Sequence, residues 1–198
     1  MAGVKRVGVL ALQGDFEAHK RALERAGAEA VEVRTAAELA SVDSLILPGG
    51  ESTTMLKLLE EEGLFEPLRR FGEERSIFGT CAGAILLATE VVNPAQKSLG
   101  LVDMTIERNA YGRQLDSRIE KLEWGGSRNG DRLEAVFIRA PIIRRTGPHV
   151  KVLASYRGAP VLVEQEKHLV ATFHPELTED GRVHAMFVGR DSAERQLV

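Results

Sequence analysis

Residues 77–88 read Ile77-Phe78-Gly79-Thr80-Cys81-Ala82-Gly83-Ala84-Ile85-Leu86-Leu87-Ala88, an apolar strand that passes through Gly-x-Cys-x-Gly into an apolar helix. Glycines two before and two after the cysteine remove the side chains that would collide where the chain reverses. The spacing therefore predicts a strand-turn-helix elbow with the sulfur standing at the helix's first turn. A free thiol ionises near about pH 8.5, and a helix N-terminus or a neighbouring base brings such groups down to roughly 3.5–7.5, so the position suits a nucleophile. A lone cysteine by itself reads as a small buried hydrophobe; the paired glycines favour chemistry. Cys81 is the chain's one cysteine, so no internal bridge forms, and a reducing, cytoplasmic setting is expected.

Outward from the elbow, short β-branched runs alternate with helical patterns, the signature of parallel strands joined by crossover helices. Strands are predicted over 6–12, 30–33, 44–47 and 76–79, and helices over 15–26, 53–61, 64–71 and 82–89. Beyond Pro94 the pattern turns strand-rich, with strands expected over 102–106, 119–122, 133–138, 150–155, 161–165 and 169–173, then a closing helix over 182–188. The tail 189–198 reads as frayed or used in contacts. With 198 residues the chain suits one domain, burying about 70 % of the surface its unfolded form exposes. The expected fold is α/β: a single domain, residues 1–198, with a doubly wound mixed, mostly parallel sheet flanked by helices, both chain ends completing the same sheet.

The 26 basic and 29 acidic side chains are interspersed, for a formal charge of −3. There is no basic stripe of the kind nucleic acid requires, which argues against that partner. The N-terminal apolar run closes at Gln13-Gly14-Asp15, too short for a membrane span and without a signal-peptide pattern.

A cysteine nucleophile needs a base, and the base needs a third group to fix its tautomer. The run Leu169–Phe173 delivers His174-Pro175-Glu176 at a strand's C-terminal end, the edge where open α/β sheets place their sites. Pro175 restricts the backbone so that His174 and Glu176 can be neighbours; alone, the tripeptide reads equally as a surface turn. Acyl transfer also needs donors for an oxyanion. Ala82 N–H is one, and Pro48-Gly49-Gly50-Glu51-Ser52 offers Gly49 or Gly50 as the other; the same stretch reads as a tight turn with Ser52 capping the next helix. His19, His149, His168 and His184 lack such a context and read as surface or structural. The histidines are scattered and no phosphate-cradling glycine loop is present, so neither metal nor cofactor is expected.

Gly79-Thr80-Cys81-Ala82-Gly83, Pro48-Gly49-Gly50-Glu51-Ser52 and His174-Pro175-Glu176 together resemble the class I, or triad, glutamine amidotransferases. More narrowly, Ala11-Leu12-Gln13-Gly14-Asp15, Leu47–Met55, Glu107-Arg108-Asn109, Gly112-Arg113-Gln114, Phe137-Ile138-Arg139-Ala140-Pro141 and Phe173–Asp180 resemble the glutaminase subunits of pyridoxal phosphate synthases, over nearly the whole chain. The resemblance implies hydrolysis of glutamine to glutamate and ammonia, with ammonia passed to a separate barrel-shaped synthase subunit. It implies Cys81 as nucleophile, His174 as proton shuttle and Glu176 as its orienting group, with Gly50, Glu51 and Ser52 lining the glutamine site. Arg108 would meet polar groups of the substrate, and Ile138-Arg139 would close over it through backbone groups. Read from the residues alone, Arg139 serves equally as a surface ion-pair partner. The segment Gln13–His19 becomes a candidate contact with the synthase subunit, or simply a strand-to-helix turn. Asn93–Ser98 and Trp124–Gly130 read as variable surface loops. Two other classes remain: a non-catalytic module on the same fold, whose mark would be a lost triad member, and a different cysteine hydrolase or redox thiol, against which the residues around Glu51 speak.

Overall fold

The computed structural model describes residues 4–109, 117–125 and 130–194, with side chains through Arg190. The Gly112-Arg113-Gln114 motif, the middle of the Trp124–Gly130 loop and the last four residues lie outside them. In chain order the elements are β1 (Arg6–Leu10), α1 (Phe16–Arg25), β2 (Glu29–Val33), α2 (Ala36–Ala40), β3 (Ser44–Leu47), α3 (Ser52–Glu61), α4 (Phe65–Glu74), β4 (Ile77–Thr80), α5 (Ala82–Leu87), β5 (Ala88–Val92), β6 (Val102–Glu107), β7 (Arg118–Leu122), β8 (Leu133–Phe137), β9 (Ile142–Thr146), β10 (Lys151–Tyr156), β11 (Ala159–Gln165), β12 (His168–Ala171) and α6 (Arg182–Glu194).

Seven strands form the central sheet in the order β10-β11-β12-β4-β3-β1-β2. The pairings from β2 through β12 are parallel, and those of β12 with β11 and β11 with β10 are antiparallel. Strands buried on both faces carry apolar residues at nearly every position, and their alternation divides the core in two. Leu10, Leu45, Leu47, Ile77 and Val170 face a layer built from α2, α3, α4, α5 and a three-stranded sheet, β5-β6-β9. Val7, Val9, Ile46, Phe78, Leu169 and Ala171 face α1, α6 and the hairpin β7-β8. Because β1, β3, β4 and β12 run parallel, their C-terminal ends share one edge. Gln13, Gly49 and Gly50, Cys81 and His174 follow these four ends.

Four local expectations are corrected. Helix α5 stops at Leu87 rather than Thr89. The returning chain takes its last carbonyls, Leu99 N–H bonding Leu86 O at 2.7 Å and Leu101 N–H bonding Leu87 O at 3.0 Å, and β-branched Thr89 enters β5 beside β6. The short α2 was not foreseen; a capping box closes it, Glu38 N–H bonding Thr35 Oγ1 at 3.3 Å and Thr35 N–H bonding Glu38 Oε2 at 2.9 Å. Glu51, not Ser52, caps α3, accepting from Thr53 N–H at 3.0 Å and Thr54 N–H at 2.7 Å. The tail is helical through Glu194 rather than frayed from residue 189. Among the described residues no helix is long and apolar enough to cross a membrane.

At the elbow, α5 presses on the neighbouring strand: a Cβ on Gly83 would overlap the Leu47 carbonyl oxygen, and one on Gly79 would lie 2.5 Å from Gly83 O. Gly83→Ala is expected to cost about 1–3 kcal/mol, the range for overpacking a close-packed site. A urea midpoint equal to the parent's would contradict this close approach.

Candidate active site

Cys81 occupies the N-cap of α5 with φ 50° and ψ −104°, a left-handed conformation that costs an L-residue of order 1–3 kcal/mol unless its surroundings hold it there. They do so on both sides. Cys81 N–H bonds Ala171 O of β12 at 2.9 Å, and Cys81 C=O accepts from Ile85 N–H at 3.3 Å. All six residues of α5 are buried, so the helix cannot shift to relax the turn.

The base arrives from the adjacent strand. The register places Ala171 opposite Thr80, so chains leaving β4 and β12 at this edge carry Cys81 and His174 side by side. His174 N–H is fixed by Val136 O of β8 at 2.8 Å. Pro175 then opens a single 3-10 turn, Pro175–Leu177, that folds Glu176 back on the imidazole. His174 Nδ1 meets Glu176 Oε1 at 2.6 Å, leaving Nε2 for the hydrogen bond with Cys81. Burial opposes the charged imidazolium, but the hydrogen bonds and attraction of Cys81 and Glu176 outweigh it and raise His174 to about 10. At neutral pH His174 is therefore an imidazolium.

In front of this group opens a cavity of about 440 Å³. Of the residues the sequence nominated, Gly50, Glu51, Ser52, Cys81, Ala82, Arg108, Ile138, Arg139 and His174 line it; Gly49, the alternative oxyanion donor, does not, and Glu176 is buried behind His174. Gln13, Asp15, Ile85, Asn109 and Pro141 complete the wall. Gly49 must lack a side chain, since a Cβ there would sit 2.5 Å from His174 Cε1. The Glu51 N–H bonds Gln13 Oε1 at 3.2 Å, tying the glycine loop to the end of β1. Slight burial works against the Glu51 charge, but the Thr54 hydroxyl and the N–H groups of Thr53 and Thr54 hold it ionised, near 2. Arg108 lies 3.5 Å from Glu51 Oε1 and donates to Thr53 Oγ1 at 2.7 Å. Arg139 has φ 46°, so its backbone bends sharply where it reaches the cavity. The cavity wall thus combines two acidic residues, Glu51 and Asp15, with two basic ones, Arg108 and Arg139, around Cys81.

Several participants escaped the sequence reading. Asn93–Ser98 is not merely a surface loop, since Gln96 Oε1 accepts from Ser52 Oγ at 3.0 Å and braces the cavity floor. His19 and His184 are not remote from the site. Both are fully buried, and His19 Nε2 lies 3.4 Å from Glu176 Oε2. The helical spacing of Ala18, His19, Ala22 and Leu23, all buried on α1, was the available signal. His168 is buried and structural, accepting Ile77 N–H at 3.2 Å, and His149 is exposed. Among the described residues the one grouping of metal-type donors is Asp15, His174 and Glu176, one atom from each lying within 4.8 Å of the others. Two of the three belong to the triad, so a cation there would compete with the His174–Glu176 bond.

A cysteine elbow, a histidine and a buried glutamate meeting at the C-terminal edge of a mostly parallel sheet define a class I glutamine amidotransferase. The model of the SNO glutamine amidotransferase family matches residues 9–192, and the chain belongs to that family. It is 60 % identical over 191 residues to the pyridoxal 5'-phosphate synthase subunit PdxT of Solibacter usitatus, covering 94 % of this chain and all of that protein. It is 54 % identical to the PdxT of Thermus thermophilus, covering 95 % and 97 %. A crystal structure described as a glutamine amidotransferase superposes with a TM-score of 0.86 at 52 % identity, covering 94 % of this chain and 97 % of that one.

The shift of His174 carries a stability consequence. Its folded-state value lies above the ordinary 6.5, at about 10, so its pairing contributes stability that is fully present below pH 6.5 and is lost as pH rises toward 10. The parent's urea midpoint is expected to fall across that window and that of His174→Gln to stay nearly level. Parallel curves for the two proteins would contradict the pairing.

Proposed function

We propose that residues 1–198 form one glutaminase domain that hydrolyses L-glutamine to L-glutamate and ammonia, the ammonia passing to the synthase subunit of a pyridoxal 5'-phosphate synthase. What carries this reading is the meeting, in one cavity, of a histidine-paired cysteine with charges complementary to those of an amino acid. Cys81 Sγ attacks the side-chain amide carbon. The oxygen of the tetrahedral intermediate accepts from the N–H groups of Ala82 and Gly50, and the imidazolium of His174 gives its proton to the departing nitrogen as ammonia leaves. Water, losing a proton to His174, then attacks the glutamyl thioester, and glutamate departs as the thiol re-forms. Glu176 holds the imidazole by Nδ1 throughout, so Nε2 keeps facing the reacting atoms. Arg108 and Arg139 are placed for the substrate α-carboxylate and Glu51 for its α-ammonium; Ser52 and the Ile138 backbone complete the wall.

Similarity to PdxT proteins supports the heteromeric setting, and the resemblance of the sequence motifs implies a barrel-shaped synthase subunit as ammonia acceptor. Within Gln13–His19, Asp15 and Glu17 are exposed whereas Ala18 and His19 face the core, so the outer part of this segment is the part available to that partner. A reducing, cytoplasmic location fits a mechanism that depends on a free thiol.

Glutamate release is expected from the chain mixed with the synthase subunit and to vanish in Cys81→Ala with the unfolding midpoint retained. Release that survives Cys81→Ala overturns the assignment. Arg108→Ala is expected to raise KM for glutamine about tenfold or more, the worth of one charge-assisted bond, with kcat little changed; an unaltered KM would remove Arg108 from the substrate site.

A further inference from the structure

Behind the triad, on the side away from the cavity, two histidines that the proposed mechanism does not use fill the space between α1, α6 and the sheet. His19 of α1 and His184 of α6 are both fully buried, with His19 Nδ1 2.9 Å from His184 Nε2. On its other side His19 Nε2 lies 3.0 Å from Thr80 Oγ1, the residue before the nucleophile, and 3.4 Å from Glu176 Oε2. The Phe78 ring meets the imidazole edge-on. Glu176 is held by one oxygen only: Oε1 bonds His174, and Oε2 is buried without a hydrogen-bond partner, the imidazole of His19 standing 3.4 Å away. Leaving half of a buried carboxylate unmatched is costly, and a nearby N–H reduces that cost.

From this geometry we propose that His19 is a positioning residue for the triad: its Nε2 edge, fixed on Thr80, lies against the outer oxygen of Glu176 and favours the arrangement in which the inner oxygen stays on His174. The proposal rests on the triad reading above.

The tautomer follows from counting partners. Burial first, and repulsion from His184 and His174 when they are protonated, drive His19 well below its ordinary value, and burial with Arg25 brings His184 to about 4. Each ring is therefore neutral and carries a single N–H. With the His19 proton on Nε2, that N–H bonds Thr80 Oγ1 at 3.0 Å and sets its positive edge 3.4 Å from Glu176 Oε2, and Nδ1 accepts from His184 Nε2–H. The cost is one bare lone pair at His184 Nδ1, an atom that has no partner. With the proton on Nδ1 instead, a lone pair would face the glutamate oxygen at 3.4 Å, and a buried His184 N–H would lack any acceptor. The first arrangement avoids both penalties. It makes a directed series of donors in which His184 fixes the His19 tautomer, His19 steadies Glu176, and Glu176 orients His174.

The test combines a spectrum with kinetics. In the parent, 15N NMR of labelled histidine is expected to show His19 as the neutral Nε2–H tautomer; the Nδ1–H tautomer overturns the proposal without any variant. Kinetics follow glutamate release in the presence of the synthase subunit, with Cys81→Ala as the blank. His19→Leu is expected to lower kcat about tenfold or more, the scale of a small misplacement of a catalytic group, with KM for glutamine within about twofold. The alkaline limb of kcat should move to lower pH as the grip of Glu176 on His174 loosens. His19→Gln, whose amide N–H reaches close to the imidazole Nε2 position, should recover kcat to within about threefold of the parent and return the alkaline limb. A folded His19→Leu with parental kcat and parental limb overturns the proposal, as does a loss that His19→Gln fails to repair. A parent without Cys81-dependent release overturns the triad reading, and this proposal with it.

Discussion

The backbone of Cys81 is held in a conformation it would not choose, and the site depends on the forces that hold it. A φ of 50° at a residue with a side chain persists because the preceding strand is paired on both sides, by β3 and by β12, and the following helix is apolar all round. Gly83 lets the helix rest against the Leu47 carbonyl, and Gly79 leaves room for the Gly83 carbonyl above it. Widening either contact would swing the sulfur away from His174, whose own backbone is tied to a different element, β8, by the bond to Val136. Nucleophile and base thus share the β4–β12 pairing, and their meeting is a property of the sheet rather than of either loop.

Three buried histidines near the site show how neighbours decide a titration when burial is common to all. His174 is raised because the groups at both of its nitrogens favour the charged ring. His19 and His184 are lowered chiefly because burial penalises their charged forms. One ring is therefore equipped to hold and move a proton, while the two behind it stay neutral and act as polar spacers of fixed orientation.

Much of this was legible in the sequence because the signals are local. Gly-x-Cys-x-Gly after an apolar run encodes the elbow, the alternation of runs with helical patterns encodes the parallel sheet, and Pro175 encodes the turn that joins His174 to Glu176. The remainder depends on contacts between distant segments. Thr89 has the neighbours of a helix residue until β6 is laid beside it. Ser52 looks like the cap of α3, yet Glu51 reaches the two amides with its longer side chain and leaves Ser52 to Gln96. His19 and His184, one near each end of the chain, acquire meaning only when α1 and α6 are packed on the same face of the sheet.

The pairing of β12 with β4 has a consequence for the order of events during synthesis. Thr80 and Ala171 are neighbours in space but lie on opposite sides of the intervening small sheet and hairpins in sequence, so this contact closes a long loop and belongs to the slow, non-local part of folding. Until β12 docks, the segment carrying Cys81 has neither the carbonyl of Ala171 to hold its turn nor His174 beside its sulfur. A nascent chain that has already exposed its cysteine from the ribosome therefore carries no assembled cysteine–histidine pair. Reactivity is withheld from the growing polypeptide and arises only once its last strand is in place.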